Sequence, residues 1–360
     1  MLRLDNITVF QFKNYLQQRF QFTENVVGIC GNNGLGKTNL LDAIYFLCFS
    51  KSYFSKSDSA SVHRGLQGLR IEGHFTKNED TEKIVCILRE NNKKEMQRNN
   101  EEYKRFSAHI GQFPAVMIAP DDVDLITGTS EIRRKFLDTL LSQLNPQYLQ
   151  SLINYNKVLQ QRNSLLKSGG ERGYIDNALL DILTAQLVKP GNYIFNYRKS
   201  FSDSFLPAVA KSYLQIAGTQ EPVVLEYYSP LLQESFATLL ATFRQKDIML
   251  QRTTIGIHKD DIELKLNEEN FKSIASQGQR KSLLFALKLQ EFEELKSAKG
   301  FEPILLLDDV FEKLDAGRIQ NLLLQVCVEN KSQVFITDTH KERLQSALEK
   351  LHVPFQLIEL

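Results

Sequence analysis

No run of about 18 uninterrupted apolar residues occurs in the 360-residue sequence, so no segment has the length of a membrane-spanning helix. An apolar signal-type core is also missing near the N-terminus, where residues 2–12 alternate apolar and polar. The expected compartment is therefore the cytoplasm, with no membrane partner. Cysteines are few and scattered: Cys30, Cys48, Cys86 and Cys327 form no C-x-x-C pair, which argues against a structural zinc site or a disulfide framework and marks them as reduced core residues. A surplus of one charge sign is missing too. Lys and Arg number 44 against 43 Asp and Glu, so total charge gives no footprint of nucleic-acid or membrane binding, and any basic surface has to be local. With 42% hydrophobic and 24% charged residues the chain lacks the composition of a disordered protein, and it shows no fixed-period repeat.

What is present reads as alternating strand and helix at both ends. Residues 2–12 and 26–30 are β-like, and the second run leads through a glycine-rich turn into the apolar stretch 40–49. Residues 71–75 and 84–88 predict two more strands around a polar turn at 77–82, and 91–100 predicts a solvated loop. Beyond Pro120 the texture changes. Leu137, Leu140, Leu141, Leu144, Tyr148, Leu152 and Leu159 recur at helical spacing and predict one long helical region. Gly169-Gly170 predicts a turn, and a second helix through Leu179, Leu183 and Leu187 is expected to break at Pro190-Gly191, giving two antiparallel helices and a third. Strand character returns at 223–228, and 304–307 and 334–337 look like buried parallel strands. The expected fold class is α/β: an ATPase head assembled from residues 1–125 and 246–360, with a helical arm inserted at 126–245.

The segment Gly31-Asn32-Asn33-Gly34-Leu35-Gly36-Lys37-Thr38 fits G-x-x-x-x-G-K-[ST] between a strand and a helix. Glycines let the backbone turn its N–H groups toward phosphates, the helix N-terminus adds a positive dipole, Lys37 reaches the β- and γ-phosphates, and Thr38 is a magnesium ligand. Asp308 and Asp309 follow the apolar run 304–307, where a buried strand would deliver carboxylates to the same site: Asp308 for the metal, Asp309 as general base or water-orienting group. Asp309 is a methylene shorter than the glutamate of fast ATPases. Ser276-Gln277-Gly278-Gln279-Arg280 opens another helix ahead of these acids, and its order matches an ABC-type signature, with Ser276, Gly278 and Gln279 meeting nucleotide. In that class the signature faces the nucleotide of a second copy, so ATP would hold a homodimer together. Leu314-Asp315 stands where a D-loop belongs. His340 is either a switch residue or an ordinary surface histidine.

These motifs, together with Phe12-Lys13-Asn14-Tyr15, Ala119-Pro120-Asp121-Asp122, Arg133-Arg134-Lys135-Phe136-Leu137-Asp138, Gly256-Ile257-His258-Lys259-Asp260-Asp261 and Leu307-Asp308-Asp309-Val310-Phe311, resemble the RecF family of recombination mediators over nearly the whole chain. The resemblance implies a DNA-repair ATPase that uses ATP and Mg2+ and dimerises on ATP. It also implies binding to DNA at gapped duplex and single-stranded/double-stranded junctions, partnership with RecO and RecR in loading recombinase, and slow, DNA-stimulated hydrolysis. Departures are Ser130 in place of a proline, the interrupting Pro190, no clear Q-loop glutamine, and the tail Asp338-Thr339-His340. Candidate DNA contacts are Lys51, Lys56, Arg64, Arg133, Arg134 and Lys135, although Arg133 and Arg134 could equally brace the insert against nearby acids. The cluster His258-Lys259-Asp260-Asp261 has no role derivable from the sequence. Two other classes compete: a transporter-type ATPase subunit, whose P-loop-to-signature spacing is about half that found here, and an SMC-like clamp, which needs far longer heptad arms.

Overall fold

Apolar residues spaced two apart make the first strands, and the pattern is visible in their burial. The computed structural model describes residues 1–217, 222–312, 323–329 and 332–360. Within them the chain divides into two compact units, residues 1–122 with 287–360, and residues 123–286.

The first unit carries two sheets. One is antiparallel, in the order β2 (Tyr15–Gln21), β1 (Leu2–Phe12), β4 (Leu69–Lys77), β5 (Asp80–Leu88), β6 (Lys94–Arg98) and β7 (Glu101–Glu102). The other is parallel, in the order β14 (Phe355–Glu359), β3 (Val26–Cys30), β13 (Val334–Asp338), β12 (Ile304–Leu307) and β8 (Ala115–Ile118). β3, β8, β12 and β13 are buried at every residue, as continuous apolar runs in a parallel sheet should be. The helix Lys37–Phe49 touches strands of both sheets and is buried almost all round, so it needs no polar face. Next to the register shift of β1 between Leu4 and Asn6, the buried Gln333 amide accepts from Leu4 N at 2.7 Å and donates to Leu4 O at 2.8 Å, so both backbone groups of Leu4 are satisfied by one side chain.

Two expectations in this unit are corrected. The turn expected at 77–82 shrinks to Asn78 and Glu79, both at positive φ (51° and 78°), while Asp80 pairs with Lys77 in the ladder. Residues 91–100 are not a loop throughout: Lys94–Arg98 forms β6, with Met96 fully buried. Its polarity reflects a strand near the sheet edge with one inward residue. The asparagines Asn92, Asn99 and Asn100, all at positive φ, supply its turns.

The second unit contains the helices Ser130–Leu144, Pro146–Arg172 and Asn177–Ala217 and a sheet in the order β11 (Glu269–Asn270), β10 (Asp261–Leu266), β9 (Val223–Tyr228). The long helical region breaks at Asn145, whose side chain accepts from Gln147 N and Tyr148 N and caps the next helix, with Pro146 in its first turn. Gly169 and Gly170 stay helical, and the turn comes at Gly173, at φ 71°. Pro190 does not break its helix: Asn177–Ala217 runs 41 residues through Pro190 and Pro207. Two features compensate for the missing amide. Gln186, whose carbonyl loses a partner, is exposed, and Gly191 lets the rings of Phe236 and Tyr155 approach so closely that a Cβ would lie 2.4 Å from Phe236.

Of the cluster at 258–261, Asp260 is buried within this unit, His258 and Asp261 are half-buried and Lys259 is exposed. Buried Arg198 donates to Asp138 (2.7 Å), Asp260 (2.6 Å), Ile257 O (2.8 Å) and Tyr148 Oη (3.0 Å). His258 Nδ1 lies 2.8 Å from Tyr155 Oη and its Nε2 3.1 Å from Thr253 O. A second buried pair, Arg162 with Asp247 at 2.8 Å, is completed by Thr184 and Thr253. This unit runs from Val123 to Ala286, and within it β10 pairs with β9 along six residues.

Candidate nucleotide site

β3 ends at Cys30 and the chain curls through residues 31–36 into the helix beginning at Lys37. The hairpin between β1 and β2 grips this curl. Asn14 Nδ2 donates to Leu35 O at 2.9 Å and Tyr15 Oη to Gly36 O at 2.9 Å, while Asn39 Nδ2 donates to Asn14 Oδ1 at 2.7 Å. In a trans peptide the carbonyl and the following N–H point oppositely, so fixing these two carbonyls turns the N–H groups of Gly36 and Lys37 the other way. Gly36 sits at φ 113° with Asn14 and Tyr15 so near that a Cβ would lie 2.6 Å from Asn14 Nδ2. Only glycine meets both demands. Lys13 adds an ion pair of 2.5 Å with Asp42, a fully buried carboxylate on the helix that also accepts from Ser52 Oγ and Tyr53 N.

The Lys37 ammonium is buried over the loop, donating to Gly31 O at 2.8 Å and Asn32 O at 3.1 Å. Thr38 Oγ1 lies 3.0 Å from both carboxylate oxygens of Asp308, which stands just after β12 and is 5% exposed. Burial pushes the Asp308 carboxyl above its ordinary value, against the opposing hydrogen bonds from Thr337 and Thr38. A hydroxyl and a carboxylate so placed are hard oxygen donors, the chemistry Mg2+ selects. Among the described residues no group of three or more His, Cys, Asp or Glu converges as a metal cage, so any cation here would take its remaining ligands from elsewhere. Asp309, at φ 52°, is partly buried, and its amide donates to Thr337 Oγ1 at 2.9 Å.

β13 runs between the loop strand β3 and the acid strand β12, and at its end Asp338 is fully buried, with Arg343 Nε donating to it at 2.8 Å. His340 is exposed at the start of the helix Lys341–Glu349, its backbone N 3.1 Å from Asp338 Oδ1. Leu314 and Asp315 lie outside the described residues. Ser276, Gly278 and Gln279 are part of the second unit and open the helix Gln277–Lys299. There Ser276 Oγ accepts from Gln279 N at 3.2 Å and Gln279 Oε1 from Ser276 N at 2.8 Å. That is a capping box, which the S-x-x-Q spacing could have announced. Of the basic candidates, Arg133 makes a two-pronged pair with Asp261 (2.6 and 2.9 Å) and Arg134 donates to Asp260 O at 2.6 Å, the bracing alternative. Lys51, Lys56, Arg64 and Lys135 are exposed.

Sequence reasoning missed the roles of Lys13, Asn14, Tyr15, Asp42 and Thr337. Residues 12–15 stood out as a motif without a task, and a threonine closing an apolar strand carries no signal of its own.

A parallel sheet with a glycine loop after β3, a carboxylate after β12 and one strand between them defines a P-loop nucleotide-binding head of the ABC/SMC type. The family model described as RecF/RecN/SMC N terminal domain matches residues 3–357. The "DNA replication and repair protein RecF" of Flavobacterium johnsoniae is 42% identical over 359 residues, covering all of both chains, and that of Porphyromonas gingivalis is 37% identical, covering 99% of this chain and 98% of its own. The chain belongs to the RecF family of DNA replication and repair proteins. A solved structure of the recombination mediator protein RecF with ATPrS, in the RecFOR pathway, superposes with a TM-score of 0.87 at 30% identity over 94% of this chain and 93% of that one. An Smc head domain from Pyrococcus furiosus shares the fold at TM-score 0.55 and 14% identity, covering 96% of this chain and 92% of that one. Among the described residues no helix is long and apolar enough to cross a membrane.

Proposed function

We propose that the chain binds ATP with Mg2+ through Gly31, Asn32, Asn33, Gly34, Leu35, Gly36, Lys37 and Thr38, hydrolyses it slowly, and uses the cycle to close as a homodimer on gapped DNA beside RecO/RecR-like partners. The observation that carries the reading is the meeting of Thr38 with Asp308 at 3.0 Å beneath a loop whose lysine is already held over it. Thr38 Oγ1 and the Asp308 carboxylate would hold the cation, which when bound neutralises charge on the β- and γ-phosphates. The loop amides and the helix N-terminus bind phosphate oxygens, and Lys37 exchanges its two carbonyl partners for them. Asp309 orients the attacking water. Its short side chain supports slow turnover and a timing role. Ser276, Gly278 and Gln279 would meet the nucleotide of the second copy, as the family resemblance implies.

Light scattering with and without Mg-ATP, on wild type and Asp309→Asn, tests the dimer. Both should move toward twice the monomer mass with nucleotide, Asp309→Asn more persistently, and no shift in either overturns the sandwich. A titration of fluorescent gapped duplex should show ATP-promoted binding that weakens steeply with salt. No binding at low salt overturns the DNA reading.

A further inference from the structure

One hydroxyl joins the two acidic residues after β12, and it comes from the strand between them and the phosphate loop. Thr337 is fully buried on β13, with Oγ1 2.8 Å from Asp308 Oδ1 and 2.9 Å from the amide nitrogen of Asp309. An amide only donates and a carboxylate only accepts, so the order is fixed: Asp309 N–H donates to Oγ1, and Oγ1 donates to Asp308. Asp309 needs this hold. Its φ of 52° is left-handed, a conformation unfavourable for an L residue that persists where neighbouring groups impose it. Asp308, for its part, is otherwise held by Thr38, the hydroxyl suited to a cation.

We propose that Thr337 is a positioning residue for hydrolysis: its hydroxyl directs Asp308 toward Thr38 and fixes the backbone from which Asp309 reaches the attacking water. The inference rests on the ATPase reading above. It explains how an aspartate serves where glutamate is usual. A shorter side chain has less reach to correct a misdirected backbone, so the backbone itself is pinned. Serine in place of Thr337 keeps the hydroxyl and loses a methyl, whereas valine keeps the shape and loses the hydroxyl.

The test is a comparison of wild type, Thr337→Val and Thr337→Ser in Mg-ATP hydrolysis. Magnesium-free affinity for a fluorescent ATP analogue and melting temperature are measured on the same preparations. Thr337→Val should lose about 10- to 100-fold in kcat, the range for removing a supporting hydrogen bond at a metal site, with magnesium-free affinity within about threefold of wild type. Thr337→Ser should recover kcat to within about threefold even where its melting temperature is the lower of the two. Valine hydrolysing as well as wild type overturns the proposal. So does serine failing alongside valine, since volume rather than the hydroxyl would then matter. If wild type itself neither binds nor hydrolyses ATP, the ATPase reading fails instead, and the affinity arm identifies that outcome separately.

Discussion

The two units bury charge for different ends. In the first, Asp42, Lys37, Asp308 and Asp338 gather around the loop at 31–38 and the ends of β12 and β13, each held by groups that also shape the candidate site. In the second, Arg162 and Arg198 are buried among Asp247, Asp138 and Asp260 and tie helices to each other and to the 253–261 segment. Isolated buried charges are costly, and in both arrangements each charge has an opposite charge or a hydrogen-bonding partner, but only the first presents donors suited to a ligand. Burial of a charged residue is thus a weak sign of function until its partners are known.

Breaking the second network should give the largest loss of stability. Arg198→Leu leaves Asp260 and Asp138 without their guanidinium and should cost about 3–5 kcal/mol in urea unfolding, whereas Lys37→Ala should cost less than about 1 kcal/mol. Equal losses would erase the contrast. Next comes acid. Burial pushes His109 in the first unit and His258 in the second down to about 4. An unfolded histidine gains its proton near 6.5, so each contributes stability that is complete above about pH 6.5 and declines as pH falls toward 4, by roughly 3 kcal/mol apiece. Urea unfolding across that window should flatten partly in His109→Gln and partly in His258→Gln, showing that here the units behave alike. Gly191→Ala, whose Cβ would collide with Phe236, should cost about 1–3 kcal/mol. The smallest effect, about 1 kcal/mol, is expected for Asn145→Ala, which removes a helix cap from the second unit only.

The first unit was also the more legible. Its glycine loop and acid pair are compact sequence signals because phosphate and cation chemistry demand fixed residue types at fixed spacing. The apolar runs 304–307 and 334–337 emerged as buried parallel strands, as expected, and the β-like run 26–30 proved to be a third. What supports the site was harder to see. Asn14, Tyr15 and Thr337 act through contacts between residues distant in sequence. In the second unit local signals misled: Pro190 looked like a break because the exposed Gln186 and the close packing at Gly191 are not local facts. Lys94–Arg98 looked like a loop because a strand with one buried residue carries almost no periodicity.

The central claim is that the loop at 31–38, with Lys37, Thr38 and Asp308, is a magnesium-nucleotide site. Its most direct test is equilibrium titration of a fluorescent ATP analogue into wild type, Lys37→Ala and Asp308→Asn, with and without Mg2+. The account predicts tight binding by wild type that Mg2+ strengthens. Lys37→Ala should lose at least about tenfold in affinity with its melting temperature little changed, and Asp308→Asn should lose the Mg2+ enhancement specifically. Equal affinity in all three proteins, or binding indifferent to Mg2+ in wild type, would contradict it.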